Sequence, residues 1–159
     1  MKQYSQPSIL IVDDEESVTE AIQTLFELET DYRVHRFELP EEAERFAAEN
    51  RVDVAISDYL MPGMNGIELL IRFKDLQPEC SRILLTGHAD RAHATEAIDR
   101  ASLFQFLEKP WDNQQLLLAV HGGVERTRLL RALREKANEL DSAHSSLKTV
   151  QQQIVQAFL

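Results

Sequence analysis

The sequence contains one cysteine, Cys80, among its 159 residues. A single thiol excludes an internal disulfide framework and is typical of a protein of the reducing cytoplasm. No histidine neighbours Cys80 in the sequence, so we interpret it as a packing residue beside a strand and not as a nucleophile. The cysteine content therefore predicts a cytoplasmic protein without disulfides.

Long apolar runs are absent as well. No stretch approaches the roughly 20 residues that a membrane helix needs, and the first residues lack the apolar core of a secretory signal. Basic residues are the minority, with 17 Lys and Arg against 27 Asp and Glu and a formal net charge of -10. This acidity argues against non-specific nucleic-acid binding by the whole chain. We therefore expect neither a membrane nor a nucleic acid as a direct partner.

Glycine and proline are scarce, with five of each, and no short repeat or Gly/Ser-rich linker is present. Short apolar runs alternate with amphipathic segments of helical spacing. Five such repeats predict an α/β domain with a doubly wound, five-stranded parallel sheet. The predicted strands are residues 8–12, 32–37, 52–57, 81–85 and 103–107, and the predicted helices are 17–28, 40–50, 65–76, 90–101 and one that begins near 112.

Charged or polar residues lie at the carboxyl ends of four of these strands: Asp13 and Asp14, Asp58, Thr86, and Lys109. The carboxyl ends of parallel strands lie at one edge of a sheet, where ligands bind. Three carboxylates that meet there repel one another unless a cation compensates, and Mg²⁺ with oxygen ligands and a phosphate fits best. A lysine and a hydroxyl can hold phosphoryl oxygens, and carboxylates can accept phosphoryl groups. The pattern predicts a magnesium-dependent anion site on Asp58.

Each of these residues also has an ordinary structural explanation. Asp58 would cap the helix that starts near Asn65 or begin a turn, and the first Asp pair would cap the first helix. A Thr-Gly pair is a common turn, and a Lys-Pro pair carries little meaning alone. The occurrence of all four signals in this order, each at a strand end, makes the prediction of a site specific.

On these residues the sequence resembles the receiver domain of two-component response regulators. The matching segments are residues 9–15 (ILIVDDE), 58–66 (DYLMPGMNG), 84–87 (LLTG) and 106–110 (FLEKP). The resemblance covers residues 8 to about 123. It implies a flavodoxin-like fold with strand order 2-1-3-4-5. It also implies a signalling phosphoacceptor, not an enzyme, that receives a phosphoryl group from a sensor histidine kinase.

The resemblance assigns roles to the residues of the matching segments. Asp58 would accept the phosphoryl group, and Asp14, Asp58 and the backbone carbonyl of Leu60 would bind Mg²⁺. Asp13 would act on the metal through a water molecule. Lys109 would hold the phosphoryl group.

Two further residues, Thr86 and Phe106, would form the switch of such a domain. Thr86 would move toward the phosphoryl group, and Phe106 would change rotamer with it. Taken alone, Phe106 is a plain core aromatic. Two neighbouring positions border the path of the attacking water in this family, Leu60 and His88. Leu60 has no polar group to orient a water, so we predict slow self-dephosphorylation, whereas His88 is as well explained as an exposed loop residue.

The segment around Trp111 resembles the receiver subset with a Lys-Pro-Trp ending, which often precedes cyclic-di-GMP phosphodiesterases or other signalling outputs. Two rival functions are a magnesium-dependent phosphatase of the haloacid dehalogenase type and a structural dimerisation module with an inactive acid pocket. The phosphatase would need an acid two residues after its nucleophile, where this sequence has Leu60. The complete set of strand-end residues argues against the inactive module.

The last part of the sequence has a seven-residue apolar repeat without a helix-stop signal. We predict a receiver domain over residues 1–123 and a parallel coiled-coil helix over 124–159 that leads toward a missing output domain and supports a homodimer. A helix packed back on its own domain is the alternative, and the nearby arginines are interpreted as a solvated face. The repeat is formed by Leu133, Leu140, Leu147 and Ile154, with a second column of Leu130, Ala137 and Phe158 that His144 and Gln151 weaken.

Overall fold

The protein was analysed as a computed structural model that describes residues 5–158, except the side chains of His88, His93, Glu96 and Ala97. Strands and helices alternate along the chain as predicted. The strands are β1 (Ser8–Val12), β2 (Arg33–Phe37), β3 (Val54–Asp58), β4 (Ser81–Thr86) and β5 (Gln105–Glu108). The helices are α1 (Glu16–Glu29), α2 (Pro40–Glu49), α3 (Gly66–Leu76), α4 (Arg91–Ala101) and α5 (Asn113–Ala157), with one 3-10 turn at His88–Asp90.

The five strands form one parallel sheet in the order β2-β1-β3-β4-β5, which confirms the predicted fold class and strand order. Side chains alternate between the faces of a strand, so Ile9 and Ile11 pack against α1 and α5, whereas Leu10 and Val12 pack against α2 and α3. Both faces are covered, and β1, β3 and β4 are almost wholly buried. Cys80 is 0% exposed directly before β4, which confirms its packing role.

Two strands begin two residues later than predicted, and one alternative for Asp58 is excluded. Strand β3 begins at Val54, two residues later than predicted, and the Val52 N–H donates to Gln77 Oε1 (2.8 Å). The cap of α3 is Asn65, whose side chain accepts a hydrogen bond from the Glu68 N–H, so Asp58 does not cap this helix. The strand β5 begins two residues later than predicted, because α4 closes through Ser102 in the left-handed conformation (φ 47) and the Leu103 N–H bonds back to the Ile98 carbonyl. Residues that complete a helix end in this way are unavailable to the next strand, although the sequence periodicity assigns them to it.

Helix α5 runs through Gly122 and Gly123 without a break. A Cβ on Gly123 would lie 3.0 Å from a Val54 methyl and 3.2 Å from Ser81 Cβ, so this glycine serves close packing. Nearby, Thr127 Oγ1 donates to the Asp53 carbonyl (2.7 Å). Residue contacts group the chain into residues 1–127 and 128–159, and the boundary predicted at residue 123 stays a prediction. Among the described residues, no helix is long and apolar enough to cross a membrane.

Candidate functional site

The carboxyl edge of the sheet holds one lysine between two carboxylates. Lys109 Nζ lies 2.9 Å from Asp13 Oδ2 and 3.0 Å from Asp58 Oδ1. The Asp13 side chain is 0% exposed, that of Asp58 is 11% exposed and that of Lys109 is 23% exposed. Because water screens these charges poorly, the ammonium and the carboxylates interact strongly. The fold therefore brings three of the predicted site residues into direct contact.

Backbone geometry fixes both carboxylates. Asp13 follows β1, its N–H donates to the Phe37 carbonyl (3.1 Å), and its Oδ1 accepts the Glu15 N–H (2.9 Å). Asp58 ends β3, and its Oδ1 accepts the Tyr59 N–H (3.0 Å). Since β1 and β3 are neighbours in register, the residues at their ends emerge side by side. The apolar strand sequences that precede each Asp are thus the reason that the two carboxylates meet.

The site carries an excess of negative charge. Burial raises the pKa of Asp13 and of Asp58, and the hydrogen bonds and charge of Lys109 only partly oppose this effect. Burial acts to lower the pKa of Lys109, but its hydrogen bonds to Asp13 and Asp58 outweigh burial and leave that pKa above its ordinary value. One ammonium therefore faces two carboxylates, and the pocket is poised for a further cation.

Asp14 completes a cluster that suits a hard metal ion. Oxygen atoms of Asp13, Asp14 and Asp58 all lie within 4.8 Å of one another, and Asp14 is exposed while the other two are buried. Carboxylate oxygens with open access to water are the ligand type that Mg²⁺ prefers. The donor set thus fits a divalent cation that enters from the solvent side. Leu60, two residues after Asp58, is 60% exposed.

Thr86 is the last residue of β4 and is 0% exposed. Its carbonyl accepts the Lys109 N–H (2.7 Å), which ties it to the lysine that bridges the carboxylates. In the part of the chain that the structure describes, Thr86 Oγ1 is the buried side-chain polar atom without a hydrogen-bond partner. A buried unpaired hydroxyl costs free energy, so this atom is poised for an acceptor that the bare chain does not provide.

Phe106 lies on β5, in register with Leu84 of the neighbouring strand β4. It is half-buried against the core that faces α2 and α3. Trp111 donates its indole N–H to Asn113 Oδ1 (3.2 Å) at the start of α5 and packs on the other core. The His88 side chain lies outside the described residues. Phe106 is thus part of the core under α2 and α3, Leu60 is exposed two residues after Asp58, and the predicted roles of both stay predictions.

Two features of the site were missed by sequence reasoning. Gly66 was interpreted only as a turn residue, yet a Cβ there would overlap the Asp58 carbonyl oxygen and would lie 2.9 Å from Ser57 Oγ. An ion pair joins Arg91 at the start of α4 to Glu108 on β5 (3.5 Å). The turn signal around residues 62–66 was visible in the sequence, but the close approach to Asp58 was not, because it depends on where α3 begins relative to β3.

The comparison with known sequences identifies one family. A model of the response regulator receiver domain matches residues 9–121. The phosphoglycerate transport system transcriptional regulatory protein PgtA of Salmonella typhimurium is 32% identical over 128 residues, which are 80% of this chain and 30% of that protein. The transcriptional regulatory protein FixJ of Rhizobium meliloti is 29% identical over 150 residues, 94% of this chain and 72% of that protein. The chain thus spans less than a third of PgtA.

Solved structures agree with this assignment. The signal receiver domain of an HD domain-containing protein from Pseudomonas fluorescens superposes with a TM-score of 0.76 at 32% identity, over 83% of this chain and 98% of that one. The matched family segment includes every residue of the carboxylate cluster, Thr86, Phe106 and Lys109. The similarity therefore covers the whole of the candidate site.

Proposed function

The chain belongs to the response regulator receiver domain family, and on that basis we propose that Asp58 is the residue that accepts the phosphoryl group. The chain is a two-component response regulator receiver, a signalling protein and not a classical enzyme. The observation that carries the assignment to Asp58 is its position: it is the strand-end carboxylate held by Lys109 beside an acid cluster. The donor is the phosphohistidine of a sensor histidine kinase.

The transfer is a displacement at phosphorus in which a carboxylate oxygen of Asp58 attacks and the phosphohistidine nitrogen leaves. Asp58 Oδ1 is already held by Lys109 and the Tyr59 N–H, which assigns the attack to Oδ2. Lys109 stabilises the charge that develops on the phosphoryl oxygens. Asp14, Asp58 and the Leu60 carbonyl would hold Mg²⁺ directly, and Asp13 would hold it through water. When bound, Mg²⁺ neutralises negative charge on the acids and on the incoming phosphoryl group.

The unpaired Thr86 hydroxyl supplies the proposed readout of the reaction. A phosphoryl oxygen on Asp58 offers the acceptor that this buried hydroxyl lacks in the described part of the chain, so phosphorylation draws Thr86 toward the site. Phe106 then moves into the space that Thr86 leaves. The hydrogen bond gained by the buried Thr86 hydroxyl drives this conformational change. The movement of Phe106 then alters the surface around β5.

We extend the proposal to the partners of the chain. A second copy binds through the apolar positions of residues 128–158, which are largely exposed, and phosphorylation controls this contact or an output. The receiver domain spans residues 1–123, the helix continues over 124–159, and the whole acts in the cytoplasm beside its kinase. From the Lys-Pro-Trp ending around Trp111 we infer that the chain belongs to the subset that precedes cyclic-di-GMP phosphodiesterases and other outputs; one similar receiver domain comes from an HD domain-containing protein. No observation favours the phosphatase or the inactive module.

The switch is tested by the mass of the protein in solution, measured by light scattering with Mg²⁺. Beryllofluoride serves as a stand-in for the phosphoryl group on a carboxylate. We expect it to change the dimer fraction of the wild type and to leave that of Asp58→Asn unchanged. An equal change of the dimer fraction in both proteins would mean that beryllofluoride acts at a residue other than Asp58. An unchanged dimer fraction in both would mean that phosphorylation does not control dimerisation.

A second prediction concerns the lifetime of the aspartyl phosphate. Replacing Leu60 by Asn places a polar group at the exposed mouth of the site, where it can orient the attacking water. One such hydrogen bond contributes about 1 kcal/mol, which shortens the lifetime about fivefold. The measurement is the decay of acid-labile phosphate, with Leu60→Met as the control of similar size. Equal lifetimes for the Asn and Met variants would refute this explanation.

A further inference from the structure

Residues 128–157 are helical. A seven-residue repeat in this helix assigns some positions to an apolar seam and others to the two flanks of that seam. The leucine column is formed by Leu133, Leu140, Leu147 and Ile154, which are 57%, 70%, 61% and 52% exposed. The mixed column is formed by Leu130, Ala137, His144, Gln151 and Phe158. The two columns lie side by side as the a and d positions of a heptad. The large apolar side chains of the leucine column are thus exposed along the helix and leave one side of it uncovered.

We propose that a second copy of this chain covers the seam in parallel and in register, and that the charges beside the seam select this arrangement. The inference rests on the dimer included in the proposed function and specifies its geometry. In a parallel coiled coil, a residue on one flank of the seam meets a residue five positions further along the partner. That rule decides which charges face each other.

The parallel, in-register arrangement pairs opposite charges. Lys136 meets the partner's Asp141, and symmetry repeats this pair on the other side. Val150 meets the partner's Val155, both of which are about half exposed on the single helix (48% and 58%). Opposite charges beside an apolar seam favour association. No like-charged pair arises among the flanking residues between 129 and 157.

Two competing arrangements pair like charges. In one antiparallel dimer, the leucine column of each helix packs against the mixed column of the partner along the whole seam. Arg134 then faces the partner's Lys148, and Asp141 faces the partner's Asp141. A parallel dimer shifted by one heptad brings Lys136 against the partner's Lys148. Like charges at such positions disfavour a pairing, so they act against the wrong arrangements.

The polar residues of the mixed column point to the same arrangement. In register, His144 packs against its own copy and Gln151 against its own copy, so each can hydrogen-bond across the seam. The antiparallel arrangement would place them against Leu140 and Leu133 of the partner subunit. Polar residues at such positions specify register and reduce stability. The result is a dissociable dimer, which suits a regulated contact.

Lys136 has one competing contact on its own helix, an ion pair with Glu139 at 3.4 Å. The two side chains are 76% and 68% exposed, so this pair contributes little. Lys136 remains able to turn toward a partner.

Charge exchange tests the pairing. Lys136→Asp and Asp141→Lys each create like-charged pairs in their own homodimer, and we expect each to dimerise about tenfold more weakly than the wild type. An equimolar mixture restores opposite charges and should form heterodimers at the wild-type affinity. The readout is native mass spectrometry, with and without beryllofluoride. A mixture without preference for the heterodimer overturns the arrangement.

Lys148→Asp is the matched control, because Lys148 faces the partner's Ala143 in the proposed dimer. Its affinity should equal that of the wild type. Tighter dimerisation by this variant overturns the proposal, since it would report relief of the antiparallel contact with Arg134.

Disulfide formation tests orientation independently. Gln151→Cys introduces a thiol in the seam, and the wild type is its control because Cys80 is 0% exposed. The parallel dimer brings the two new thiols together, so we expect rapid cross-linking. In the antiparallel dimer they would lie about 27 Å apart, at 1.5 Å per residue over 18 residues. A dimer by mass that does not cross-link, or a monomer in all conditions, overturns the proposal.

Acid-labile phosphate is measured on parallel samples of the same proteins, incubated with Mg²⁺ and a small-molecule phosphoryl donor in place of beryllofluoride. Phosphorylation with no heterodimer preference overturns the seam arrangement alone, whereas an unphosphorylated wild type overturns the proposed function.

Discussion

Replacing Lys109 by Met is expected to reduce the rate of phosphoryl transfer by about 100-fold or more, the scale seen when one charge-stabilising donor is removed from a transition state. The same change should lower the free energy of unfolding by about 3 kcal/mol near neutral pH, because Asp13 and Asp58 lose the ammonium that lies 2.9 and 3.0 Å from them. Urea denaturation measures the stability, and acid-labile phosphate from a small-molecule donor measures the transfer. A variant with wild-type values of both would contradict the assigned role of the lysine.

The stability loss in Lys109→Met should depend on pH. Burial already raises the pKa of Asp13 and of Asp58 above the ordinary value of 3.8, and the lysine that opposes this effect is gone. A carboxyl with a raised folded-state pKa contributes stability that is present below its unfolded pKa and is lost as the pH rises through the folded pKa. The deficit should therefore be small near about pH 4 and full near about pH 7. Lys148→Met, which removes an exposed lysine outside the site, is expected to show no such dependence.

Replacing Gly66 by Ala should cost more than about 3 kcal/mol of unfolding free energy, at or beyond the upper end of the usual range for overpacking. The added Cβ would overlap the Asp58 carbonyl oxygen and would lie 2.9 Å from the Asp58 carbonyl carbon. A backbone group cannot move away by changing rotamer, so the start of α3 must shift or the end of β3 must bend. Because Asp58 is displaced in either case, phosphorylation should fall together with stability.

Gly87→Ala is the matched control for Gly66→Ala. Gly87 follows Thr86 at the same edge of the sheet, but a Cβ there would meet only Asp90 Oδ2 at 3.4 Å, which is a flexible carboxylate. Its backbone conformation (φ -73, ψ 160) is one that alanine adopts freely. We expect less than about 1 kcal/mol of change. Equal losses in the two variants would show that the close approach at Gly66 is not the cause.

The residues of the site could be predicted from the sequence because strand ends are local features. The apolar runs before Asp13, Asp58 and Lys109 mark the strands, and a parallel sheet forces their carboxyl ends to one edge. The sequence does not show that one lysine bridges both carboxylates, since that contact depends on the order of the strands in space. Likewise, the unpaired hydroxyl of Thr86 becomes visible only when every neighbour of a buried atom is known.

Element boundaries were the weaker part of the prediction, and the reasons are local. The start of β5 was placed too early because Leu103 is apolar and fits a strand pattern, yet its N–H still completes the end of α4. Asp58 was a possible cap for α3 by residue type, but Asn65 is nearer to the first turn and takes that role. Competition between neighbouring elements for the same residue decides such cases, and sequence periodicity does not describe it.

The central claim, that Asp58 accepts the phosphoryl group, is tested most directly by locating that group. The wild type is incubated with Mg²⁺ and a small-molecule phosphoryl donor, the acyl phosphate is reduced with borohydride, and the reduced residue is identified by peptide mass spectrometry. The account predicts that reduction occurs at Asp58, that chelation of the metal prevents it, and that Asp58→Asn removes it. Reduction at Asp13 or Asp14, or undiminished labelling of Asp58→Asn, would contradict it.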